Sequence, residues 1–155
     1  MLVKEAINFI RQEVNDETNE YPDSQLIRYI NAAIQQASMI LIGKNSYIMT
    51  KTTVLQNGDI LPDEFIRFAG NYPLKIDGGI VELLDDVQDL KVKYFAVKKA
   101  IQSTDEEIPF KHEVILQFII EAAAIMAFNH NEFEVSQDNN ILAALQNMVG
   151  AVCNG

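Results

Sequence analysis

The chain of 155 residues has few of the features on which several common functions depend. A single cysteine, Cys153, excludes an intrachain disulfide and favours a reducing compartment. Lysine and arginine together number 12 against 22 aspartate and glutamate residues, so the formal net charge is −10. Because phosphate neutralisation requires clustered cations, this charge argues against unaided binding to duplex DNA.

The sequence also has no apolar run of membrane-spanning length. Its most apolar window, residues 114–128, is interrupted by Gln117 and Glu121 and is shorter than the roughly 20 residues that a bilayer span requires. This window therefore predicts a buried helix. A hydrophobic content of 48% and the chain length predict one domain with a packed core.

Helical periodicity marks the two ends of the chain. The second helix is predicted from Pro22 to Ile42, with Gly43 as a left-handed C-cap. Its apolar residues recur at steps of four and three and predict one apolar face: Leu26, Ile30, Ala33, Ala37 and Leu41. A short helix precedes it, and Ile108-Pro109 is predicted to open a third, long helix. A last short helix is predicted from its apolar spacing, with the apolar residues Ile141, Leu142, Leu145, Met148 and Val149.

The middle of the chain changes to β-type patterns. Residues 47–55 and the segment from Leu90 predict strands, and residues 72–84 predict a hairpin around Asp77-Gly78-Gly79. Residues 61–68 predict a short helical turn. The expected fold is α+β and mainly α: a bundle of about four helices with a small antiparallel β lobe between the second and third long helices. We expect one domain, with the β lobe at about 46–100 and a C-terminal arm at about 137–155.

Neither histidine belongs to a convincing metal motif. His112-Glu113 begins like the zinc motif His-Glu-x-x-His, but Leu116 occupies the position of the second histidine. His130 lies near acids at positions 132 and 134, without a third ligand at a familiar spacing, and a solvated loop is the simpler interpretation. No catalytic, cofactor-binding or metal-binding residues are predicted, and we expect a protein that is not an enzyme.

Two polar groupings remain as candidate partner surfaces. Clustered carboxylates can bind Mg²⁺ or Ca²⁺ or act as acid and base, although a solvated acidic turn is the default interpretation. A second grouping forms one stripe along the third helix, since its members are spaced four residues apart. The acidic patch comprises Glu82, Asp85, Asp86 and Asp89, and the stripe comprises Glu113, Gln117 and Glu121.

Three motifs and their order resemble the head-to-tail adaptor proteins of tailed bacteriophages. The first is residues 19–23 (Asn-Glu-Tyr-Pro-Asp) leading into residues 26–33, and the second is residues 60–67 (Ile-Leu-Pro-Asp-Glu-Phe-Ile-Arg). The third combines residues 108–110 (Ile-Pro-Phe) with residues 119–124 (Ile-Ile-Glu-Ala-Ala-Ala). The segment 47–97 is longer than in the better-known members of the family.

The resemblance implies a structural virion protein of the phage neck. Such adaptors form a ring, typically dodecameric, that docks on the portal protein, extends the DNA channel and receives the next neck or tail protein. The genome passes through during DNA ejection without sequence-specific binding. The implied location is the virion neck, with the host cytoplasm before assembly, and no membrane, cofactor or catalytic residue is implied.

The resemblance also suggests roles for the candidate surfaces. We expect the acidic patch or the α-helical stripe to face the channel lumen, because like charges repel DNA. The C-terminal arm, with Ile141, Leu142, Leu145, Met148 and Val149, is the candidate portal contact. Two alternatives stay open: another tail-completion or tail-terminator protein, which would carry more strand, and an acidic inhibitor that mimics DNA and binds a basic host protein.

Overall fold

The computed structural model describes residues 1–16 and 19–129, which form three α-helices and five β-strands. They separate into two compact units. The helical unit comprises Met1–Lys44 and the chain from Lys98 onward, and the β unit comprises Asn45–Val97. In chain order the elements are α1 (Val3–Glu13), α2 (Asp23–Gly43), β1 (Thr50–Leu55), β2 (Phe65–Phe68), β3 (Leu74–Asp77), β4 (Ile80–Leu83), β5 (Leu90–Ala96) and α3 (Glu113–Phe128).

The core of the helical unit follows the predicted helical period. The predicted apolar face of α2 is confirmed, since its five members are all 0% exposed: Leu26, Ile30, Ala33, Ala37 and Leu41. Along α3, Ile115, Ile119 and Ala123 are likewise 0% exposed. Small alanines on both helices let the backbones approach closely, so α2 and α3 share a tightly packed apolar seam.

Asparagine, rather than glycine, takes the left-handed position after the first two helices. The predicted C-cap at Gly43 is wrong, because Gly43 is the last residue of α2 and Asn45 has the positive φ of 58°. Asn15 plays the same part after α1, with a φ of 55°. Asparagine tolerates this conformation because its short side chain can bond locally to the backbone.

The start of α3 also differs from the prediction. The helix begins at Glu113, not at Ile108-Pro109, and His112 precedes it in an extended conformation. The N–H of Ile108 donates to the carbonyl of Met1 at 2.9 Å, and Leu2 forms an antiparallel bridge with Glu107. Pairing with the N-terminus therefore holds this segment extended, which no local signal could predict.

The side chain of Asn31 in α2 binds the backbone of Ile101, in the segment that follows the β unit. Asn31 Nδ2 donates to the carbonyl of Ile101 at 2.9 Å, and the N–H of Ile101 donates to Asn31 Oδ1 at 2.8 Å. Ile101 itself is 4% exposed. One side chain thus satisfies both polar backbone groups of a buried residue, as a strand neighbour would.

The β unit contains two antiparallel sheets. The first has the strand order β1-β5-β2, and the second is the hairpin β3-β4. Gly78 and Gly79, with φ of 59° and 80°, form its tight turn, so the predicted hairpin is confirmed. Apolar side chains from both sheets form one core whose buried members are Leu55, Val81, Leu83 and Val92.

The predicted helical turn at residues 61–68 is wrong, because residues 65–68 form a strand. The chain makes a single turn, closed by a bond from the N–H of Phe65 to the carbonyl of Pro62 at 3.0 Å, and then continues as β2. Strand β2 pairs with β5, and the ring of Phe65 lies 5.7 Å from that of Tyr94. A proline followed by acids opens a β-turn as readily as a helix, and the distant pairing decided between them.

The expected fold class is therefore corrected. The described residues form three helices and two antiparallel sheets, whereas a bundle of about four helices with one small β lobe was predicted. The additional sheet content arises because residues 61–68 contribute a strand and because the hairpin forms a separate sheet. The predicted last helix, at residues 141–149, lies outside the described residues.

Candidate interaction surfaces

The four acids of the predicted patch are all exposed, but they do not converge. Glu82 lies on β4, where its carboxylate is 3.3 Å from Lys75 Nζ on β3. Asp89 Oδ1 accepts a bond from Gln56 Nε2 at 2.6 Å. Within residues 1–16 and 19–129, no three histidine, cysteine, aspartate or glutamate side chains are placed to hold a metal ion.

Asp85 and Asp86 occupy a tight turn directly after the hairpin. Both have positive φ, 59° and 58°, and the N–H of Val87 donates to the carbonyl of Leu84 at 3.2 Å. Two successive residues in the left-handed region are unfavourable without glycine, and aspartate is among the residue types that tolerate it best. The turn therefore projects two carboxylates into solvent from a fixed backbone.

The predicted stripe on α3 lies on one exposed helix face. Glu113, Gln117 and Glu121 are all exposed, and Gln117 Nε2 donates to Glu121 Oε1 at 3.2 Å. The apolar side chains Val114 and Phe128 are also exposed on α3, at 42% and 73%. The stripe is thus a mixed polar and apolar surface rather than a purely acidic one.

A groove of about 510 Å³ lies where α1 and α3 end. Glu13 and Val14 from the first helix face Glu121 and Phe128 from the third. The complete lining is Glu13, Val14, Glu121, Ala124, Ile125, Phe128 and Asn129. It combines an apolar floor with two carboxylates, and it is open to solvent.

The outer side of the β3-β4 hairpin carries apolar side chains that the sequence reading did not single out. Paired residues of an antiparallel ladder share a face, so Ile80 lies on the same side as its partners Asp77 and Ile60. Ile60 is 78% exposed and Ile80 is 50% exposed. We call this surface the hairpin face; it consists of Ile60, Lys75, Asp77, Ile80, Glu82 and Leu84.

One sequence signal could have indicated the hairpin face. Residues 80–84 (Ile-Val-Glu-Leu-Leu) place apolar side chains on both sides of a strand, whereas a strand with one solvated face alternates apolar and polar residues. The inward-facing members, Val81 and Leu83, are buried at 1% and 7% exposure. The core does not need the outward-facing Ile80 and Leu84, so apolar residues on both sides of this strand indicate an exposed apolar face.

Three titratable groups in the described part of the chain have shifted pKa values. A hydrogen bond to its own backbone, with further help from Lys51, lowers the pKa of Glu64, whose Oε1 accepts a bond from the Tyr94 hydroxyl at 3.3 Å. Burial, reinforced by the Glu64 charge, raises the pKa of Tyr94. The N–H groups of Gln102 and Ser103 lower the pKa of Glu106. These contacts organise turns and a strand pair and form no catalytic arrangement.

Part of the predicted site lies outside the described residues. This applies to the candidate portal contact (Ile141, Leu142, Leu145, Met148 and Val149), to the loop with His130, and to Cys153. His112 is exposed at the start of α3. No helix in the described part of the chain is both long and apolar enough to cross a membrane.

No protein-family model matches the chain, and comparison with curated proteins finds no significant match. The three motifs behind the resemblance to phage adaptors nevertheless have clear places in the fold. Residues 19–23 lead into α2, residues 60–67 lead into β2, and residues 119–124 form the middle of α3. The functional assignment therefore depends on these motifs and on the exposed surfaces.

Proposed function

We propose that the chain is a structural subunit of a phage neck, a head-to-tail adaptor that forms a ring on the portal protein. The ring extends the DNA channel and receives the next neck or tail protein. The observation that carries this proposal is the exposed apolar surface of each unit: Ile60 and Ile80 in the β unit, and Phe9 and Phe128 in the helical unit. A ring subunit needs surfaces for its neighbours, for the portal and for the next neck or tail protein, and exposed apolar side chains in both units can supply them.

The distribution of acids supports a passage for DNA. The residues of the acidic patch and of the α3 stripe present carboxylates and one amide to solvent, and DNA would slide past such side chains without being gripped. We propose that one of these two groupings faces the lumen. A resolved ring in which both face outward would contradict this part of the proposal.

The content of secondary structure favours an adaptor over a tail-terminator protein. Helices make up 40% of the described residues and strands 22%. A tail-terminator protein would be expected to carry more strand and fewer long helices. The helical content above one third and the two long helices α2 and α3 therefore support the neck assignment.

The proposal is tested by mixing the purified chain with the portal protein of the phage that encodes it. Electron-microscopy class averages are expected to gain a rotationally symmetric layer on the portal, and its symmetry gives the number of subunits. If the portal is intact, the chain is folded by circular dichroism and no layer forms, the adaptor assignment is wrong. A search for a basic host partner would then test the acidic-inhibitor alternative.

Truncation tests the proposed portal contact. Removal of residues 137–155 is expected to abolish docking while the circular dichroism spectrum keeps its helical signal. A second variant tests the same contact in a chain of full length. It replaces only the apolar residues of this segment with serine: Ile141, Leu142, Leu145, Met148 and Val149. Docking that survives both changes would exclude the C-terminal arm as the portal contact.

A further inference from the structure

The β unit presents two outward faces with different chemistry. Its two sheets contribute to one shared core through Leu55 and Val92 from the first sheet and Val81 and Leu83 from the hairpin. Each sheet therefore has one inner face and one outer face, as in other two-layer β structures. The outer face of the second sheet is the hairpin face.

The outer face of the first sheet carries lysines. Lys91 pairs with Val54 and Lys93 pairs with Thr52, so these four side chains share one side of the sheet, opposite the core residues Leu55 and Val92. All four are exposed, and Val54 is 56% exposed. We call this surface the lysine face; it consists of Thr52, Val54, Lys91 and Lys93.

The hairpin face is complementary to the lysine face in both charge and polarity. It presents Ile60, Ile80 and Leu84 beside the carboxylates of Asp77 and Glu82, and the exposed acidic turn follows directly. Lys75 partly neutralises Glu82, but the turn at positions 85–86 keeps the end of the hairpin acidic. Along β4 Glu82 lies between Ile80 and Leu84, so charged and apolar side chains alternate on this face and both kinds can take part in a protein–protein contact.

We propose that the hairpin face of one copy binds the lysine face of a second copy. Isoleucine side chains would pack around Val54, while Asp77 and Glu82 would approach Lys91 and Lys93 of the neighbour. This inference extends the proposed function. It rests on that function in one respect, namely that the hairpin face binds another copy of this chain. It assigns the lateral contact of the ring to the β unit, and because Glu82 of the acidic patch lies in that contact, the α3 stripe is then the grouping that faces the lumen.

The charges of the two faces select this pairing over its alternatives. Two hairpin faces would bring acids against acids, and two lysine faces would bring ammonium groups together; like charges across an interface oppose association. Asp77, Glu82 and the acidic turn outnumber Lys75, so the hairpin face is net acidic and net charge favours the pairing of unlike faces. A contact between two different faces of the same chain is heterologous, so it generates a ring or an open chain of copies rather than a closed dimer.

Disulfide trapping tests the pairing directly. The double variant Ile80→Cys/Lys93→Cys, made in a Cys153→Ser background, places one thiol on each face. Within one chain these thiols lie on opposite sides of two layers that are about 10 Å apart, too far for a disulfide. Mild oxidation is therefore expected to give a ladder of covalent dimers, trimers and larger species on a non-reducing gel.

The matched controls are the two single-cysteine variants in the same background. Neither is expected to cross-link alone, and an equimolar mixture of the two is expected to stop at the dimer. Efficient cross-linking of Ile80→Cys with itself would overturn the proposal, because it would show a symmetric contact. Absence of a ladder, both in free solution and on the portal, would overturn it as well.

Charge exchange provides a second test that does not depend on cysteine chemistry. The variant Lys91→Glu/Lys93→Glu is expected to weaken self-association about tenfold or more in sedimentation experiments, because it places like charges across the contact. Adding Asp77→Lys/Glu82→Lys to the same chain is expected to restore most of the affinity. A combined variant that associates no better than the lysine-reversed one would overturn the proposal.

The two proposals fail in different ways. A covalent ladder without portal binding would keep the β-unit contact and contradict the adaptor assignment. A symmetric layer on the portal whose subunits give no Ile80–Lys93 cross-link would keep the adaptor assignment and contradict this contact. Circular dichroism of each variant separates either result from a folding defect.

Discussion

Along α2 and α3 the helical unit buries a row of isoleucine, leucine and alanine side chains at 0% exposure, whereas the core shared by the two sheets of the β unit has four buried residues at 1% to 7% exposure, and Ile60 is 78% exposed. In the helical unit the side chain of Asn31 also forms hydrogen bonds with the backbone of the buried Ile101. The β unit instead displays apolar and charged side chains on both outer faces. The difference indicates that the helical unit supplies most of the stability and that the β unit supplies the proposed lateral contact.

The largest effect is expected from the core of the helical unit. Ile119→Ala removes a side chain that is 0% exposed and should cost about 3 kcal/mol of unfolding free energy, because the tightly packed helices cannot fill the cavity. Denaturant unfolding measures the change. Val81→Ala in the β unit is the comparison and should cost about 2 kcal/mol. A larger loss for Val81→Ala would reverse the assignment of stability to the helical unit.

The second-largest loss of unfolding free energy is expected when the hydrogen bonds between Asn31 and Ile101 are removed. Asn31→Ala leaves the N–H and carbonyl of the buried Ile101 without partners, which should cost about 2 kcal/mol. Gln35→Ala is the matched control, since Gln35 is exposed one turn later on the same helix. Equal stability of the two variants would show that Asn31 contributes nothing beyond helix propensity.

The hairpin face should contribute little to folding. The double variant Ile60→Ser/Ile80→Ser is expected to lower the unfolding free energy by only about 1 kcal/mol, because Ile60 is 78% exposed and Ile80 is 50% exposed. Val81→Ser, on the inner side of the same strand, is the control and should be strongly destabilising. A large loss for the outer pair would mean that these side chains serve the fold and would remove the main support for a contact surface.

The smallest effect concerns pH. The pKa values of Glu64 and Glu106, one acid in each unit, are lowered from 4.5, so both side chains contribute stability above that pH. Their contribution is lost as the pH falls through the lowered values, where the folded state also takes up the proton. Glu64→Gln and Glu106→Gln should each flatten the acid limb of a stability profile measured between about pH 2 and pH 7. An unchanged limb in either variant would contradict the corresponding pKa shift.

Local sequence patterns predicted the elements whose signals are local. The apolar face of α2 follows from its helical period, and the β3-β4 turn follows from two adjacent glycines. Strand β2 was missed because its identity depends on pairing with β5, more than 20 residues away. The start of α3 was missed for the same reason, since the N-terminus holds residues 107–108 extended.

The candidate site was predicted only in part. The exposure of the acids and of the α3 stripe follows from charge and helical spacing. Their grouping into one patch does not follow, because Glu82 pairs with Lys75 across the hairpin and Asp89 binds Gln56. The hairpin face was missed because composition cannot say which side of a strand is covered, and only the register with Ile60 and Asp77 shows that Ile80 points outward.

The first and last strands of the β unit are direct neighbours, with Thr50 opposite Phe95. The chain therefore enters and leaves this unit at adjacent points, about 5 Å apart at the level of the paired backbones. An insertion of this kind can be replaced, during evolution or in the laboratory, without a change in the path of the chain through α2 and α3. Residues 45–97 thus form a replaceable unit through which the same helical scaffold can acquire a new binding specificity.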